Sequence, residues 1–381
     1  MTGFDQAIEQ LSGTMRSGGM RYCLSRFLDL LNRVGNPHHR LKRVVHVAGT
    51  NGKGSTCAYI TQGLVAQGLN VGTFLSPHVW SYTERLCWNG VPISESLFAH
   101  LFSQVAWAVG DATEFELLTM MAFLAFESAD VAVIEVGIGG RLDATNVVTP
   151  SVSVLTPIGL DHQDILGHSL AEIASEKAGI IKQGPVISAI QDPEVEGVIQ
   201  RACEMQGVVC EWVKPWDLLP NGFMMTGGYQ RQNGAVAERV LRQLGYPVNP
   251  LDLASARIPG RFSVGRYDGG GVWVDGAHNA HGLQAVLGSL PEGVHHLWIG
   301  VLARKELDDM VGVLRTRRWG RVGVYAPDEG WHPASDYTGL GVIETWDTVP
   351  DGLCGDVLVT GSFYWIGEAW RRLGMGEFKG G

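Results

Sequence analysis

The sequence lacks the features of several protein classes. Its six cysteines are widely spread and never form a Cys-x-x-Cys pair, so a disulfide scaffold or zinc ribbon is not expected and the thiols should be reduced. No apolar run approaches the ~18 residues of a membrane span, and the opening MTGFDQAIEQLSG is too polar for a signal peptide. Lysine and arginine number 29 against 39 acidic residues, which disfavours nucleic acid and anionic membranes as partners. We therefore expect a cytoplasmic protein with neither kind of partner.

Glycine, by contrast, is abundant. It accounts for 51 of 381 residues, and hydrophobic residues make up 45% of the chain. Because no Gly-X-Y period accompanies the glycines, they indicate tight loops in a globular protein rather than collagen. At roughly 150 residues per domain, the length predicts two domains.

Apolar strand-like runs alternate with helical stretches, a pattern typical of parallel sheets covered on both faces. We expect strands at 43–48, 71–75, 130–136, 152–156 and 185–190, with helices at 55–68 and 116–129. The pattern restarts near 257–259, with strands near 271–275, 296–301, 321–325 and 356–360. Residues 207–232 are rich in glycine and proline and are predicted to be irregular. The predicted fold is α/β, with a larger parallel-sheet domain at 1–257 and a smaller, Rossmann-like domain at 258–381.

A glycine-rich segment, GTNGKGST at positions 49–56, lies between a predicted strand and a predicted helix. Glycines in this position let backbone N–H groups face an anion at the helix amino terminus. Lys53 adds a charge for phosphates, and a hydroxyl can bind Mg²⁺. The strict GxxxxGK[ST] pattern is not met, because position 47 is not glycine and Gly54 precedes Ser55. The order strand, loop, helix nevertheless favours a phosphate-binding loop over a simple turn.

The segment resembles the phosphate loop of the folylpolyglutamate synthase/dihydrofolate synthase family, a branch of the Mur ligase superfamily. Further segments match the family in order: LSPH at 75–78, YTER at 82–85, EVGIGGRLDATN at 135–146, LDH at 160–162, EKAGII at 176–181, PGR at 259–261, DGAHN at 275–279 and GSF at 361–363. The resemblance is dense from about residue 21 to 190 and patchier afterwards. It implies a P-loop ATPase domain followed by a glutamate-ligase domain.

The resemblance implies two Mg²⁺ ions held around the ATP phosphates by Ser55, Ser76, Glu135 and His162. Glu135 ends an apolar strand, where open α/β sheets place their ligands. His162 alone would be more typical of a hydrogen-bonded loop histidine, because Mg²⁺ prefers oxygen. The family match also assigns residues to ATP: Asn51, Gly52, Lys53, Gly54, Ser55, Thr56, Asn233, Arg261, Asp275 and His278. Considered alone, the segment 275–278 would indicate a turn and a helix cap.

Lys177 lies in a predicted helix. From its neighbours it would be a solvated lysine paired with Glu172 or Glu176. The resemblance instead implies carbamylation of Lys177, which requires a neutral amine in a partly desolvated site near the metals. Together with Lys53, His162 and Arg261, Lys177 then belongs to the catalytic set.

The implied reaction is ATP-dependent ligation of L-glutamate to a folate or to dihydropteroate through an acyl phosphate. Such catalysis rests on positioning and charge neutralisation. The resemblance implies substrate contacts from Thr113, Phe115, Glu116, Leu142, Asp143 and Ala144. Asp143 has an alternative role as a turn cap before Asn146. We expect the chain to act as a monomer.

The sequence departs from the family at three places. Arg304-Lys305-Glu306 replaces the usual Asp-Lys-Asp, Tyr229 precedes Gln230 where His or Pro is common, and 207–232 is short. Two alternatives remain at this stage: a superfamily ligase acting on another acid, such as a muropeptide, or a nucleotide-binding regulator without ligase activity. Only 42 residues precede the phosphate-loop strand, too few for a nucleotide-sugar domain. The joint presence of Glu135, His162 and Lys177 favours an enzyme.

Overall fold

The computed structural model describes residues 3–17, 23–267, 269–346 and 355–373. Contacts divide the chain into two compact units. Unit 1 comprises Met1–Gly159, Gln163–Phe223 and Arg231–Ala256, and unit 2 comprises Leu160–His162, Met224–Gln230 and Arg257–Gly381. Two short segments that precede the expected boundary therefore group with the second unit. None of the helices in the described ranges is long and apolar enough to cross a membrane.

The helices and strands alternate along most of the chain. The α-helices are α1 (Gly3–Ser17), α2 (Leu24–Arg33), α3 (Lys53–Ala66), α4 (Glu95–Val105), α5 (Glu114–Ala125), α6 (Gln163–Leu166), α7 (Leu170–Ala178), α8 (Pro193–Gln206), α9 (Gln230–Gln243), α10 (Ala280–Leu287), α11 (Asp308–Leu314) and α12 (Phe363–Arg372). The strands are β1 (Val44–Ala48), β2 (Val71–Phe74), β3 (Leu86–Trp88), β4 (Val91–Pro92), β5 (Val131–Glu135), β6 (Val152–Leu155), β7 (Val186–Ala189), β8 (Cys210–Val213), β9 (Ser263–Tyr267), β10 (Gly270–Val274), β11 (His296–Ile299), β12 (Arg321–Tyr325), β13 (Val342–Trp346) and β14 (Val357–Thr360).

Unit 1 is built on a sheet in the order β4-β3-β2-β5-β1-β6-β7-β8. From β2 to β8 the neighbouring strands are parallel, and β3 and β4 extend the sheet antiparallel. Every residue of β1, β5, β6 and β7 is buried, as expected for a parallel sheet covered on both faces. The carboxyl ends of β2, β5 and β1 consequently lie side by side.

Unit 2 has its own sheet, in the order β13-β12-β11-β14-β10-β9. Only β9 is antiparallel to its neighbour. A separate apolar core packs around this sheet, with Leu297, Ile299, Val322 and Leu358 at its centre. The α/β class predicted from the sequence is confirmed, with parallel-dominated sheets in both units.

The prediction that residues 207–232 are irregular is wrong at both ends, since β8 forms near the start and α9 begins at Gln230. After α8, which is capped by Gly207 with a φ of 67°, the chain enters β8 and pairs parallel with β7. This strand escaped prediction because it is a short edge strand in which only Cys210 is buried. The five described cysteines carry free thiols, as expected, and Cys354 lies outside the described residues.

Candidate active site

The phosphate loop joins β1 to α3 through backbone conformations that favour glycine. Gly49 and Gly52 have φ values of 142° and 86°. A Cβ on Gly49 would lie 1.9 Å from Thr156 Oγ1, and a Cβ on Gly52 would lie 2.3 Å from Asn233 Oδ1. Neither position therefore accepts a side chain without displacing its neighbour. The same contact brings Asn233, which was predicted to bind ATP, against the loop within unit 1.

Hydrogen bonds fix the loop to the end of β6. The backbone N–H groups of Thr50 and Asn51 donate to the Pro157 carbonyl at 3.0 and 3.2 Å, and Lys53 Nζ donates to the Thr50 carbonyl at 3.2 Å. Within the described ranges, Thr56 Oγ1 is buried without a hydrogen-bond partner, and no side chain caps α3. An orphaned hydroxyl in the first turn of a helix fits a bound phosphate or a hydrated cation, either of which satisfies it.

Three of the predicted metal ligands follow neighbouring parallel strands of unit 1. Ser55 follows β1, Ser76 follows β2, and Glu135 ends β5, which lies between them. The Ser76 N–H donates to Glu135 Oε2 at 2.9 Å, and Glu135 is only 2% exposed. Among the described residues, no three His, Cys, Asp or Glu side chains gather into a metal cluster. One carboxylate with hydroxyls fits Mg²⁺, which typically completes its shell with waters and substrate phosphates.

Lys177 is buried, at 4% exposure. Its Nζ donates to the carbonyl oxygen of Gly49 at 3.0 Å, so α7 directs this amine to the phosphate loop. The interpretation as a solvated lysine is wrong. Glu176 instead forms an ion pair with Arg141, and Glu172 caps the amino end of α7.

His162 belongs to the three-residue segment that groups with unit 2. Its φ is 51°, a left-handed conformation that is uncommon outside glycine. Its Nε2 lies 3.3 Å from Lys305 Nζ. Since Ser55, Ser76 and Glu135 belong to unit 1, His162 is the one predicted ligand in the other unit.

Asp161, next to His162, is surrounded by positively charged and hydrogen-bond-donating side chains of unit 2. Its carboxylate accepts from Lys305 Nζ at 2.6 Å and from Asn279 Nδ2 at 3.0 Å, and His278 Nε2 lies 3.5 Å away. Burial alone would raise the pKa of Asp161, but the hydrogen bond from His278 and the charges of His278, Lys305 and His162 hold it well below its usual range. Asp161 was not among the predicted site residues, although it lies in the LDH segment at 160–162.

Asp275 is buried at the end of β10. It accepts from the Tyr229 hydroxyl at 2.5 Å, from the Phe262 N–H at 2.8 Å and from the Ala277 N–H at 2.9 Å. Burial raises its pKa, and the Tyr229 hydrogen bond and the Arg261 charge oppose that rise. The last contact forms the expected turn, whereas the helix cap of α10 is Asn279.

The other two residues that unit 2 was predicted to supply to ATP lie near Phe363. The Arg261 guanidinium lies over the Phe363 ring, 4.2 Å from its centroid. The His278 ring centroid is 5.8 Å from that of the same phenylalanine. His278 Nδ1 hydrogen-bonds the Gly276 carbonyl at 2.8 Å, and His278 lies just before α10 and its cap Asn279.

Two of the predicted substrate contacts, Thr113 and Glu116, also have structural partners. Thr113 caps α5 and Glu116 bonds back to the Thr113 N–H, which together form a capping box. Glu116 also pairs with Arg26. Phe115 is half-buried and packs on the loop after Glu135, where a Cβ on Gly137 would lie 2.6 Å from its ring. The Thr113-x-x-Glu116 spacing was the signal for the capping box.

The contacts of Asp143 support its alternative role as a turn cap. Its Oδ2 accepts from the Gly137 and Ile138 N–H groups at 3.1 Å each, and its Oδ1 accepts from the Thr145 N–H and hydroxyl. Four donors fill the acceptor capacity of a carboxylate. Asp143 therefore shapes the loop after Glu135, and its direct contact with substrate stays a prediction. Of its neighbours, Leu142 is 45% exposed and Ala144 is buried.

A buried charged cluster that was not predicted from the sequence contains Glu114, Arg85 and His78. Glu114 is 7% exposed, and within the described part of the chain its Oε2 has no partner. Its Oε1 lies 3.7 Å from Arg85 Nη2, and Arg85 Nε donates to His78 Nδ1 at 2.9 Å. Burial raises the pKa of Glu114, and the Arg85 charge opposes that rise. Arg85 lies in the YTER segment and His78 in the LSPH segment, but only the folded contacts with Glu114 reveal the cluster.

The segment 304–306, where the sequence differs from the usual Asp-Lys-Asp, lines a pocket of about 390 Å³ in unit 2. Residues 303–308, His332 and Asp336 line it. Lys305 retains a charged partner, Asp161, while Arg304 is exposed. Lys305, which corresponds to the lysine of the usual Asp-Lys-Asp, therefore has a carboxylate partner in this chain.

Comparison with known proteins links this arrangement to one enzyme family. The model of the Mur ligase middle domain matches residues 47–206. The chain is 31% identical to the dihydrofolate synthase/folylpolyglutamate synthase of Bacillus subtilis, over 98% of this chain and 99% of that protein.

Solved structures agree with the sequence comparison. Escherichia coli FolC in complex with DHPP and ADP superposes with a TM-score of 0.85 at 30% identity, covering 96% of this chain and 97% of that one. A bifunctional folylpolyglutamate synthase/dihydrofolate synthase with Mn, AMPPNP and L-glutamate bound has a TM-score of 0.81 at 26% identity, covering 94% and 96%.

Proposed function

The chain belongs to the dihydrofolate synthase/folylpolyglutamate synthase family of ATP-dependent Mur-type ligases, and from this premise we propose that it joins L-glutamate both to folates and to dihydropteroate. One observation carries the assignment of its site. The phosphate loop, the buried Lys177 amine and the Ser76–Glu135 pair meet at the carboxyl edge of a single parallel sheet. A nucleotide and a divalent metal are the ligands expected there. The finer assignments, two Mg²⁺ ions and carbamylated Lys177, are part of the proposal.

The proposed reaction has two steps. The substrate carboxylate attacks the γ-phosphorus of ATP, the bond from that phosphorus to the bridging oxygen breaks, and ADP leaves. The glutamate amine then attacks the acyl carbon, loses a proton, and expels inorganic phosphate as the amide forms. Both steps rest on alignment and on neutralising phosphate charge.

Residues of this chain supply that alignment. Lys53 places its charge beside the loop that faces the phosphates, and Arg261 and Asp275 of unit 2 are assigned to the phosphates and ribose of ATP. Bound Mg²⁺, with Ser55, Ser76, Glu135 and His162 as its assigned ligands, supplies charge neutralisation at the phosphates. Asp143 and the glycines of 137–140 hold the loop that follows Glu135.

Carbamylation of Lys177 has a direct test. The buried Nζ beside Gly49 supplies the desolvated setting that a neutral amine requires. In [¹³C]bicarbonate, the wild type should give one carbamate carbon resonance that is lost in Lys177→Ala, and short-chain carboxylates should partly restore activity to that variant. Lys182→Ala is the matched control, since Lys182 is also partly buried but donates to the Asn146 and Val148 carbonyls. A resonance that persists in Lys177→Ala removes the assignment.

The proposed activity on dihydropteroate rests on aromatic side chains next to the loop that follows Glu135. Phe115 lies 5.6 Å from Phe74, centroid to centroid, and offers a face on which a pterin ring can stack. Phe115→Ala should raise KM for dihydropteroate at least tenfold, which corresponds to about 1.4 kcal/mol. Trp107→Ala, which removes an exposed aromatic side chain, is the control. Phe102→Ala is unsuitable, because Phe102 belongs to the hydrophobic core. If the wild type ligates glutamate to tetrahydrofolate but never to dihydropteroate, only polyglutamylation remains.

A further inference from the structure

Tyr229 occupies a position at which this chain departs from its family. It lies in the Met224–Gln230 segment of unit 2, and its hydroxyl donates to Asp275 Oδ2 at 2.5 Å. The ring packs edge-on against Phe262, with centroids 6.3 Å apart. A Cβ on Gly227 would lie 2.8 Å from the Tyr229 ring, so the glycine leaves room for the tyrosine.

The hydrogen bonds of Asp275 are unevenly distributed between its oxygens. Oδ2 accepts from the Tyr229 hydroxyl and the Phe262 N–H, which fills both of its lone pairs. Oδ1 accepts from the Ala277 N–H. A carboxylate has about four acceptor sites, so the hydrogen bonds of the described residues leave one site, on Oδ1. The orientation of that site depends on what holds Oδ2.

Two donors hold Oδ2, and they differ in kind. The Phe262 N–H is part of the backbone, and Phe262 has a left-handed φ of 55°. Tyr229 is the only side chain among the three donors to Asp275 described above, and it opposes the burial that disfavours the charged carboxylate. Its removal leaves a buried charge with fewer donors, which is costly and permits rotation of the carboxylate.

We propose that Tyr229 is a positioning residue: its hydroxyl fixes Asp275 so that Oδ1 faces and accepts a ribose hydroxyl of ATP. The inference rests on the proposed contact between Asp275 and ATP. Tyr229 itself touches no reacting atom, so its loss should weaken nucleotide binding rather than the chemical steps.

The first experiment compares Tyr229→Phe with the wild type. We expect the Kd for ATP, measured by calorimetry without the acid substrate, to rise about tenfold, the scale of a lost hydrogen bond to a charged group. The kcat at saturating ATP should change less than twofold. Tyr267→Phe, a half-buried tyrosine on β9 of the same unit, is the matched control and should leave Kd unchanged.

The binding of deoxynucleotides distinguishes a positioning role of Tyr229 from a purely structural one. Wild type should bind 2′-deoxy-ATP or 3′-deoxy-ATP more weakly than ATP, and Tyr229→Phe should lose most of that discrimination. In an Asp275→Asn background, Tyr229→Phe should add less than a twofold change, because the two residues act through one contact.

The outcomes separate this inference from the proposed function. If wild type binds ATP and ligates glutamate but Tyr229→Phe retains its affinity and its deoxynucleotide discrimination, the positioning role is overturned while the enzyme assignment stands. Equal wild-type affinity for ATP and both deoxy analogues also overturns it. A wild type that binds no ATP contradicts the proposed function itself.

Discussion

Lys53 is the residue whose loss should affect the reaction most selectively. Its side chain is partly exposed and its Nζ donates to the Thr50 carbonyl, so it carries charge rather than core packing. Lys53→Ala should lower kcat at least a hundredfold, about 3 kcal/mol of transition-state stabilisation, and leave the melting temperature nearly unchanged. Lys214→Ala, at an exposed lysine of unit 1, is the control. Near-normal turnover in a folded Lys53→Ala enzyme would contradict the phosphate-loop assignment.

His46 should make stability depend on pH. It is fully buried on β1, and burial together with the Lys182 charge lowers its pKa to about 3. Below pH ~6.5, His46 is protonated in the unfolded chain but stays neutral in the folded protein. The His46 contribution to the free energy of unfolding is therefore fully present above that pH and is lost as the pH falls towards 3.

The measurement is urea unfolding between pH 7 and 4. The His46 contribution to the slope should approach about 1.4 kcal/mol per pH unit and should disappear in His46→Gln. His100→Gln, at an exposed position, should keep the wild-type slope. Parallel pH dependences for wild type and His46→Gln would show that His46 is not the cause.

Some residue roles could be predicted from the sequence and others could not. Glycines at a strand–loop–helix junction predict a phosphate loop because the backbone geometry itself needs them. The role of Asp143 depends on four donors, two of them from Gly137 and Ile138 across the loop. The contact of Tyr229 with Asp275 joins residues far apart in the chain, and no local pattern encodes it.

At the scale of elements, one glycine links the Glu135 loop to the helix that carries Lys177. A Cβ on Gly140 would lie 2.7 Å from the Glu176 carbonyl and 2.8 Å from the Lys177 carbonyl. Both carbonyls are backbone groups, so Gly140→Ala must displace α7. We expect this to lower the free energy of unfolding by about 1–3 kcal/mol. Because α7 directs Lys177, activity should fall as well.

Gly312→Ala is the matched substitution. Gly312 lies within α11 of unit 2, and a Cβ there meets nothing within 4 Å. It should stabilise the protein by about 0.4–1 kcal/mol and leave activity intact. Denaturant unfolding and ligase assays on both variants decide the matter; a harmless Gly140→Ala would mean that the loop and α7 are not tightly coupled.

The strands of the sheets differ in how well the sequence predicts them. The fully buried β1, β5, β6 and β7 are continuous apolar runs, which is why they could be predicted. The four edge strands, β4, β8, β9 and β13, were missed, because an edge strand buries fewer side chains and its pattern resembles a loop. The inner strand β3 was also missed, because it has only three residues. In β9, for example, Val264 is 54% exposed.

At the scale of the whole molecule, we expect a monomer. Light scattering on the eluting protein should give a mass near the 41.3 kDa of one chain. A mass near twice that value at micromolar concentration would overturn the expectation. The measurement bears on assembly alone and leaves the site assignments untouched.

The central claim is that the chain is a glutamate ligase acting on pteroyl substrates. The most direct measurement incubates the purified protein with ATP, Mg²⁺, L-glutamate and either dihydropteroate or tetrahydrofolate, and follows ADP and the product mass. The account predicts ADP release that requires both the acid and glutamate, with a product heavier by one glutamyl residue for each acid. ADP release without glutamate-dependent product, or no turnover of either acid, would contradict it.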